Sequence, residues 1–306
     1  MGFLLIFGAV ILNLVKAYSS KKLSKTTDCL VDNINLSVLR NLFCAILGAV
    51  FIFIFAGADF SMPWQGFLIC VLAGAITSVN YIAWVMALKT DAIVFASTAN
   101  NANFIVVGIC GVLFFGEQVT VAKGLAVLFI LLACVFMVKY QKGVGDAPRM
   151  RDAMLLLTVF LAGGLTSVTE KCFARYVPTV SSHLYTFYTF SFSILILLCV
   201  RIFVSHPQEV TVEQKRAKIK IFLPYAAVMG VAIYGVTYFK TLANSFLDTI
   251  VLYPLNNGLT LVASALMAWA CFGEKPNKNS IIGMILIFLA LLLSSGTMMD
   301  IIAKVL

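Results

Sequence analysis

The chain has 306 residues, of which 61% are hydrophobic and only 11% charged, and its mean hydropathy is +1.01. So few polar side chains cannot cover a water-soluble surface. The composition therefore excludes a soluble globular domain and predicts a protein whose solvent is the lipid bilayer. The formal net charge of +9 requires no nucleic acid partner, since basic loops at an inner membrane leaflet explain it.

Ten apolar runs are long enough, at roughly 20 residues each, to cross about 30 Å of hydrocarbon as α-helices. In chain order they are residues 2–19, 34–57, 64–88, 91–115, 120–138, 153–176, 180–204, 221–244, 246–271 and 280–299. Helices are favoured over strands because period-two alternation is absent and because lipid tolerates only backbone with internal hydrogen bonds. The sequence therefore predicts an all-α integral membrane protein with ten transmembrane helices.

The basic residues predict how these helices are oriented. With Lys16 and Arg40 set aside inside their runs, fifteen of the other twenty Lys and Arg residues fall on one side and five on the other. The positive-inside rule places the richer side in the cytoplasm and both termini outside, in a plasma or bacterial inner membrane. No basic residue precedes the first run and no small-x-small cleavage site follows it. We therefore expect this run to span the membrane rather than to be a signal peptide.

The chain repeats itself at a shift of 157 residues, which aligns residues 73–117 with residues 230–274 without a gap. The identities that apolar composition does not explain are Tyr81/Tyr238, Asp91/Asp248, Asn100/Asn257 and a Phe-Gly-Glu turn ending at Glu117 and Glu274. They predict two five-helix repeats, residues 1–139 and 153–306, joined by a cytoplasmic linker at 140–152. Because five is odd, the second repeat enters the membrane upside down, as in alternating-access carriers.

Each Phe-Gly-Glu turn has a mechanical interpretation. Gly116 and Gly273 are expected to end their helices at positive φ, and the glutamate that follows is expected to favour the positive end of the next helix. We expect Glu117 to be such a cap rather than a proton site. The first turn should lie at the outer face and the second at the inner face.

The repeated turn, followed each time by an apolar helix, resembles the drug/metabolite transporter superfamily, and in particular its EamA-like family, over essentially the whole chain. Gly283 fits the glycine that this family commonly carries nine residues after Gly-Glu, whereas the first half has Ala126; Arg40 fits a familiar arginine early in the second helix. The resemblance implies a ten-helix carrier with a central cavity lined mainly by the first four helices of each half. It names no substrate, because the superfamily moves amino acids, nucleobases, sugars, sugar nucleotides, organic phosphates and cations.

Polar side chains at membrane depth are the candidate substrate-binding residues, since burying them is costly unless they face partners or water. They are Arg40, Tyr81, Asn100, Asn101, Asn103, Tyr188, Tyr238, Tyr253, Asn256 and Asn257. Asn100 and Asn103 share one helical face, and Asn256 and Thr260 share another. Hydrogen bonding between helices is the alternative explanation of these uncharged strips.

The aromatic residues differ in their predicted depth within the membrane. Tyr81 and Tyr238 are deep and related by the repeat, so we expect them to stack on a solute or to gate its path. Trp84 and Tyr185 lie near helix ends, where we expect an interfacial aromatic belt.

Few charged residues lie inside the runs. We expect Glu170 and Lys171 to pair with each other near the outer end of the sixth run, and Lys240 to reach the outer surface. Arg40 would attract a carboxylate or a phosphate if it faces the pathway. The matching helix of the second half offers His183, Tyr185 and Tyr188. No acidic residue lies centrally in a run, so proton-coupled cation antiport has no obvious carrier.

The motifs of common enzymes are missing from the sequence. His183 and His206 are the two histidines and lack metal-ligand spacing, and there is no Gly-x-Ser-x-Gly, phosphate loop or Cys-x-x-Cys. We therefore expect no enzyme activity, no metal and no cofactor.

The favoured function is a secondary transporter that moves a small polar organic metabolite, amino-acid-like or otherwise neutral or zwitterionic, by alternating access. The alternatives are an organic-anion or phosphate-ester exchanger, and a non-transporting membrane subunit or lipid-handling scaffold. The expected partners are the solute and the lipid bilayer, without nucleic acid, and a homodimer is compatible with the sequence.

Overall fold

The described part of the chain is helical and contains no strand. The computed structural model describes residues 1–23, 30–55, 57–88, 100, 102–118, 120–138, 150–204, 212–272 and 278–294. Its helices are α1 (Gly2–Leu23), α2 (Leu30–Phe55), α3 (Trp64–Leu88), α4 (Phe104–Phe115), α5 (Val121–Val138), α6 (Met150–Tyr176), α7 (Ser182–Phe203), α8 (Val212–Ala243), α9 (Thr249–Phe272) and α10 (Lys278–Ser294). The all-α prediction is confirmed for these residues.

Seven of the described helices are long and apolar enough to cross a membrane, judged by length and composition. Three further apolar helices are shorter, at Phe104–Phe115, Gly124–Ala133 and Ile281–Ala290. Large apolar side chains face outward along the helices, and Leu4, Phe53 and Ile285 are each more than half exposed. Such a surface is stable against lipid rather than water. The chain is therefore an all-α, multi-pass integral membrane protein.

Helix boundaries differ from the predicted runs where the helix leaves the apolar stretch. Helix α3 has the predicted bounds, but α8 begins at Val212, nine residues before the predicted start at 221. The polar residues 213–220 continue the helix although they lack the hydropathy that marks a span. Helix α6 begins at Met150, inside the stretch predicted as a linker. Residues 140–149 and most of 91–101 lie outside the described residues.

Several helix contacts occur in equivalent pairs in the two halves. Replacing each helix of such a contact by the helix five positions away in chain order gives another observed contact. Helix α1 packs on α8 as α6 packs on α3; α2 packs on α8 as α7 packs on α3; and α1 packs on α9 as α6 packs on α4. Helix α2 also packs against α7, α4 against α9, and α5 against α10. A twofold relation between the two halves would produce this pattern. Helices α2, α3, α7, α8 and α9 carry most of the polar side chains described next.

Candidate functional site

Two tyrosines related by the repeat each lie against a side chain from the preceding helix. The Arg40 guanidinium of α2 sits 3.9 Å from the centre of the Tyr81 ring of α3. The His183 ring of α7 stacks on the Tyr238 ring of α8, with centroids 4.2 Å apart and planes 7° apart. Cation–π and stacking contacts hold such pairs in place. Of the three residues that α7 offers as counterparts of Arg40, the structure thus brings His183 to the repeat-related tyrosine.

His183 is also part of an array of nearly parallel rings where α2, α7 and α8 meet. The array comprises Phe51, Phe55, His183, Tyr234 and Tyr238, with neighbouring centroids 4.2 to 6.3 Å apart and planes within 10°. His183 Nδ1 is hydrogen-bonded to the Tyr234 hydroxyl. These stacked rings fill the space between the three helices, so the Tyr238 ring packs against protein on this face.

Arg40 lies about midway along α2 and is only partly satisfied. Its Nε atom is buried and has no hydrogen-bond partner. Lys16 of α1 lies close enough to Arg40 and to Lys240 for their positive charges to interact. The charges of Lys16 and Arg40 therefore lie near each other, whereas Lys240 pairs with Glu170 at 2.9 Å. Lys16 is not among the predicted site residues, although a charge inside an apolar run marks it in the sequence.

The asparagine strips meet between α4 and α9. Asn257 Nδ2 donates to Asn103 Oδ1 at 3.1 Å, and Asn256 Nδ2 donates to Asn257 Oδ1 at 3.2 Å. Asn256 Oδ1 and Thr260 Oγ1 are buried without a partner. Asn100 is half-buried, and Asn101 lies outside the described residues. The two predicted strips are thus in direct contact, and part of their hydrogen-bonding capacity is unused.

A buried carboxylate, Glu170 of α6, binds residues from α8 and α9. Its side chain is 2% exposed and its Oε1 lies 2.9 Å from Lys240 Nζ. The Tyr253 hydroxyl lies 2.8 Å from Glu170 Oε2 and accepts from Asn244 Nδ2 at 2.8 Å. The predicted pairing of Glu170 with Lys171 is therefore wrong, because neighbouring residues on a helix point in different directions. Lys240 pairs internally instead of reaching the surface, and Tyr253 is 2% exposed within this network.

Glu117 caps a helix of the opposite half. Its carboxylate accepts from the Thr249 amide at 2.9 Å, the Thr249 hydroxyl at 2.6 Å and the Ile250 amide at 3.2 Å. Lys171 Nζ lies 3.2 Å from Glu117 Oε1. Glu117 is therefore a helix cap, but the expectation that it caps the next helix, α5, is wrong, because it caps α9. Gly116 ends α4 at φ 65°, as predicted, whereas Gly273 and Glu274 lie outside the described residues.

Two tyrosines of α7 have structural contacts. The Tyr188 hydroxyl donates to the Phe60 carbonyl at 2.9 Å, in the segment before α3. Tyr185 is 1% exposed, and its hydroxyl lies 3.0 Å from Thr169 Oγ1 of α6. The interfacial-belt prediction for Tyr185 is therefore wrong, because α6 covers the ring. Tyr188 is separated from the Arg40 pair by its engagement with this segment.

Two surface cavities lie at the end of the bundle where α4 and α6 end and α9 begins, which we call the Glu117 end. The larger, of about 640 Å³, is lined by Lys171, Arg175, residues 244–248 and two neighbours; the smaller, of about 340 Å³, adds residues 115–118. None of the ten predicted site residues lines either cavity. These cavities are openings between helix ends, whereas the predicted residues lie along the helices.

An apolar exterior around buried polar and charged side chains defines the class, a multi-pass integral membrane protein. Residues 150–296, just under half of the chain, match the EamA-like transporter family. Over these residues the chain is similar to that family, and the match suggests a membrane transporter. No curated protein matches the chain. A protein of known crystal structure is similar at a TM-score of 0.73 and 15% identity, over 96% of this chain and 98% of the other. At that identity the likeness shows the fold alone.

Proposed function

We propose that the protein is a secondary transporter that moves a small polar organic metabolite across the plasma membrane by alternating access. In this proposal ten helices span the membrane as two inverted repeats, with both termini outside. The exchange of packing partners between helices five places apart supports the inverted arrangement. The partners are the solute and the lipid, with no nucleic acid or cofactor; light scattering in detergent would tell a monomer from a homodimer.

The distribution of unsatisfied polar atoms carries this proposal. Every described side-chain nitrogen or oxygen that is buried without a hydrogen-bond partner lies on, or directly after, α2, α3, α7, α8 or α9. Examples are Asn80 Oδ1, Thr241 Oγ1 and Asn256 Oδ1. Each such atom costs about 1–3 kcal/mol when nothing binds it. Polar groups that served only to join helices would form hydrogen bonds with each other. The buried atoms without such a partner therefore support contact with a solute.

Flux measurements in proteoliposomes test the proposal. With a panel of metabolites, we expect the parent protein to transport at least one neutral or zwitterionic solute. Asn100→Ala, Asn257→Ala and Thr260→Ala should lower that flux while the protein stays folded. Thr158→Ala is the matched control for Thr260→Ala, because the exposed Thr158 hydroxyl donates to the carbonyl one turn earlier at 2.8 Å.

The rival class is a non-transporting subunit or lipid-handling scaffold. In that case no solute would move although the protein is folded, and the asparagine variants would lower stability before any other property. The organic-anion or phosphate-ester exchanger remains the second candidate within the transporter class. The buried Arg40 Nε, which has no hydrogen-bond partner, favours it.

A further inference from the structure

Among the described residues, the interior of the bundle holds more cations than carboxylates. Three buried carboxylates form ion pairs with lysines: Glu170 with Lys240 at 2.9 Å, Glu117 with Lys171 at 3.2 Å, and Asp32 with Lys218 at 2.6 Å. In the described ranges, no carboxylate forms an ion pair with Lys16 or Arg40. Two positive charges therefore lie between the helices without a counter-ion among the described residues.

Leaving two like charges together in this environment is costly. The dielectric constant between packed membrane helices is low, so repulsion between nearby charges is far stronger than in water. Charged side chains inside membrane segments accordingly face partners, water or a transported ion. Lys16 and Arg40 lie near neighbouring turns of α8, since a Cβ on Gly230 would meet the Arg40 carbonyl oxygen and one on Gly235 would meet Leu12, one helical turn before Lys16. One anion between the two side chains would relieve both charges.

Arg40 is held in a fixed position. Its guanidinium rests on the Tyr81 ring at 3.9 Å. Its backbone abuts α8, where a Cβ on Gly230 would lie 2.8 Å from the Arg40 carbonyl oxygen. With this support, the buried Nε remains unbound. A preorganised guanidinium with a free donor matches the geometry of carboxylate and phosphate oxygens.

We propose that Lys16 and Arg40 bind an anionic group of the transported solute, a carboxylate or a phosphate. This inference rests on the proposed transport function and narrows its substrate class. The Thr77 hydroxyl, one helical turn from Tyr81 on α3, and the neighbouring Asn80 Oδ1 are buried without partners. They supply hydrogen bonds for the uncharged part of such a solute.

Binding to the purified full chain in detergent is measured as thermal stabilisation by matched probes. The pairs are alanine with alaninamide, succinate with succinamide, and glycerol 3-phosphate with glycerol. They differ in the anionic group and separate zwitterions, carboxylates and phosphate esters. We expect at least one anionic probe to raise the Tm in a concentration-dependent way while its counterpart does not. Lys16→Gln and Arg40→Gln should each raise the Kd of that probe about tenfold or more, and Arg40→Lys less.

The matched control is Arg201→Gln, because Arg201 Nη1 donates to the Val204 carbonyl at 2.9 Å at the end of α7. This variant should keep the parent Kd. A variant counts as folded if its Tm without probe matches that of the parent and it elutes as a monodisperse peak. If Arg40→Gln does not fold, the Kd values of Lys16→Gln and Arg40→Lys are compared with the parent instead.

The inference is overturned if no anionic probe stabilises the protein, if the counterparts bind equally well, or if the folded variants keep the parent Kd. Flux measurements in proteoliposomes distinguish failure of this inference from failure of the proposed transport function. Flux of alaninamide, succinamide or another non-anionic solute without anion binding overturns the inference and leaves the transporter proposal intact. No flux of any solute counts against both.

Discussion

Glu117→Gln tests the cap that joins the two halves. The side chain is 5% exposed and receives two backbone amides, one hydroxyl and one ammonium group. Glutamine keeps the shape and one acceptor oxygen, but its amide group faces donors. At least one charge-assisted hydrogen bond, worth about 1.5–3 kcal/mol, is lost together with the ion pair to Lys171. Since breaking a buried pair costs about 3–5 kcal/mol, we expect a loss of about 3 kcal/mol in the free energy of unfolding.

The assay is equilibrium unfolding in mixed micelles, followed by tryptophan fluorescence. Asp59→Asn is the control, because Asp59 is an exposed carboxylate that accepts from the Ser61 amide at 2.8 Å; it should change stability by less than about 0.5 kcal/mol. A double-mutant cycle with Lys171→Met isolates the ion pair and should show clear coupling. A Glu117→Gln variant as stable as the parent, or strict additivity in the cycle, would refute this reasoning.

Two further substitutions probe the same interior by unfolding measurements. Gly111→Ala should destabilise by about 1–3 kcal/mol, because a Cβ there would lie 2.2 Å from Thr249 Oγ1; at Gly108 nothing lies within 4 Å, so Gly108→Ala should be neutral. Equal losses of stability at both glycines would contradict this packing argument. Glu170→Gln should lower the free energy of unfolding by about 3 kcal/mol because Lys240 loses its carboxylate partner, and Tyr253→Phe should lower it by only about 1 kcal/mol. The opposite ranking would show that the ion pair is not the main interaction.

Helix positions were predictable because bilayer thickness sets the length of an apolar run. That rule located α3 at its observed bounds. It missed the start of α8 at Val212, because the polar first turns of that helix carry no hydropathy signal. In α4, α5 and α10 the described apolar parts are shorter than the runs predicted for them.

The pairing of charged residues was not predictable, because partners come from distant segments. Glu117 contacts Thr249, 132 residues away, through a contact between opposite halves. Glu170 pairs with Lys240 rather than with its neighbour Lys171, because side-chain direction on a helix outweighs closeness in sequence. The asparagine strips were predictable, since helical periodicity and the repeat both mark Asn257.

The sidedness of the two Phe-Gly-Glu turns tests the central claim of inverted halves most directly. Single cysteines at Gln118 and Lys278, in a variant with its own cysteines replaced, are exposed to a membrane-impermeant thiol reagent on intact cells. Five helices separate these positions, so inverted repeats predict labelling at Gln118 from outside and protection at Lys278 until the cells are opened. Labelling of both positions from the same side would contradict the account.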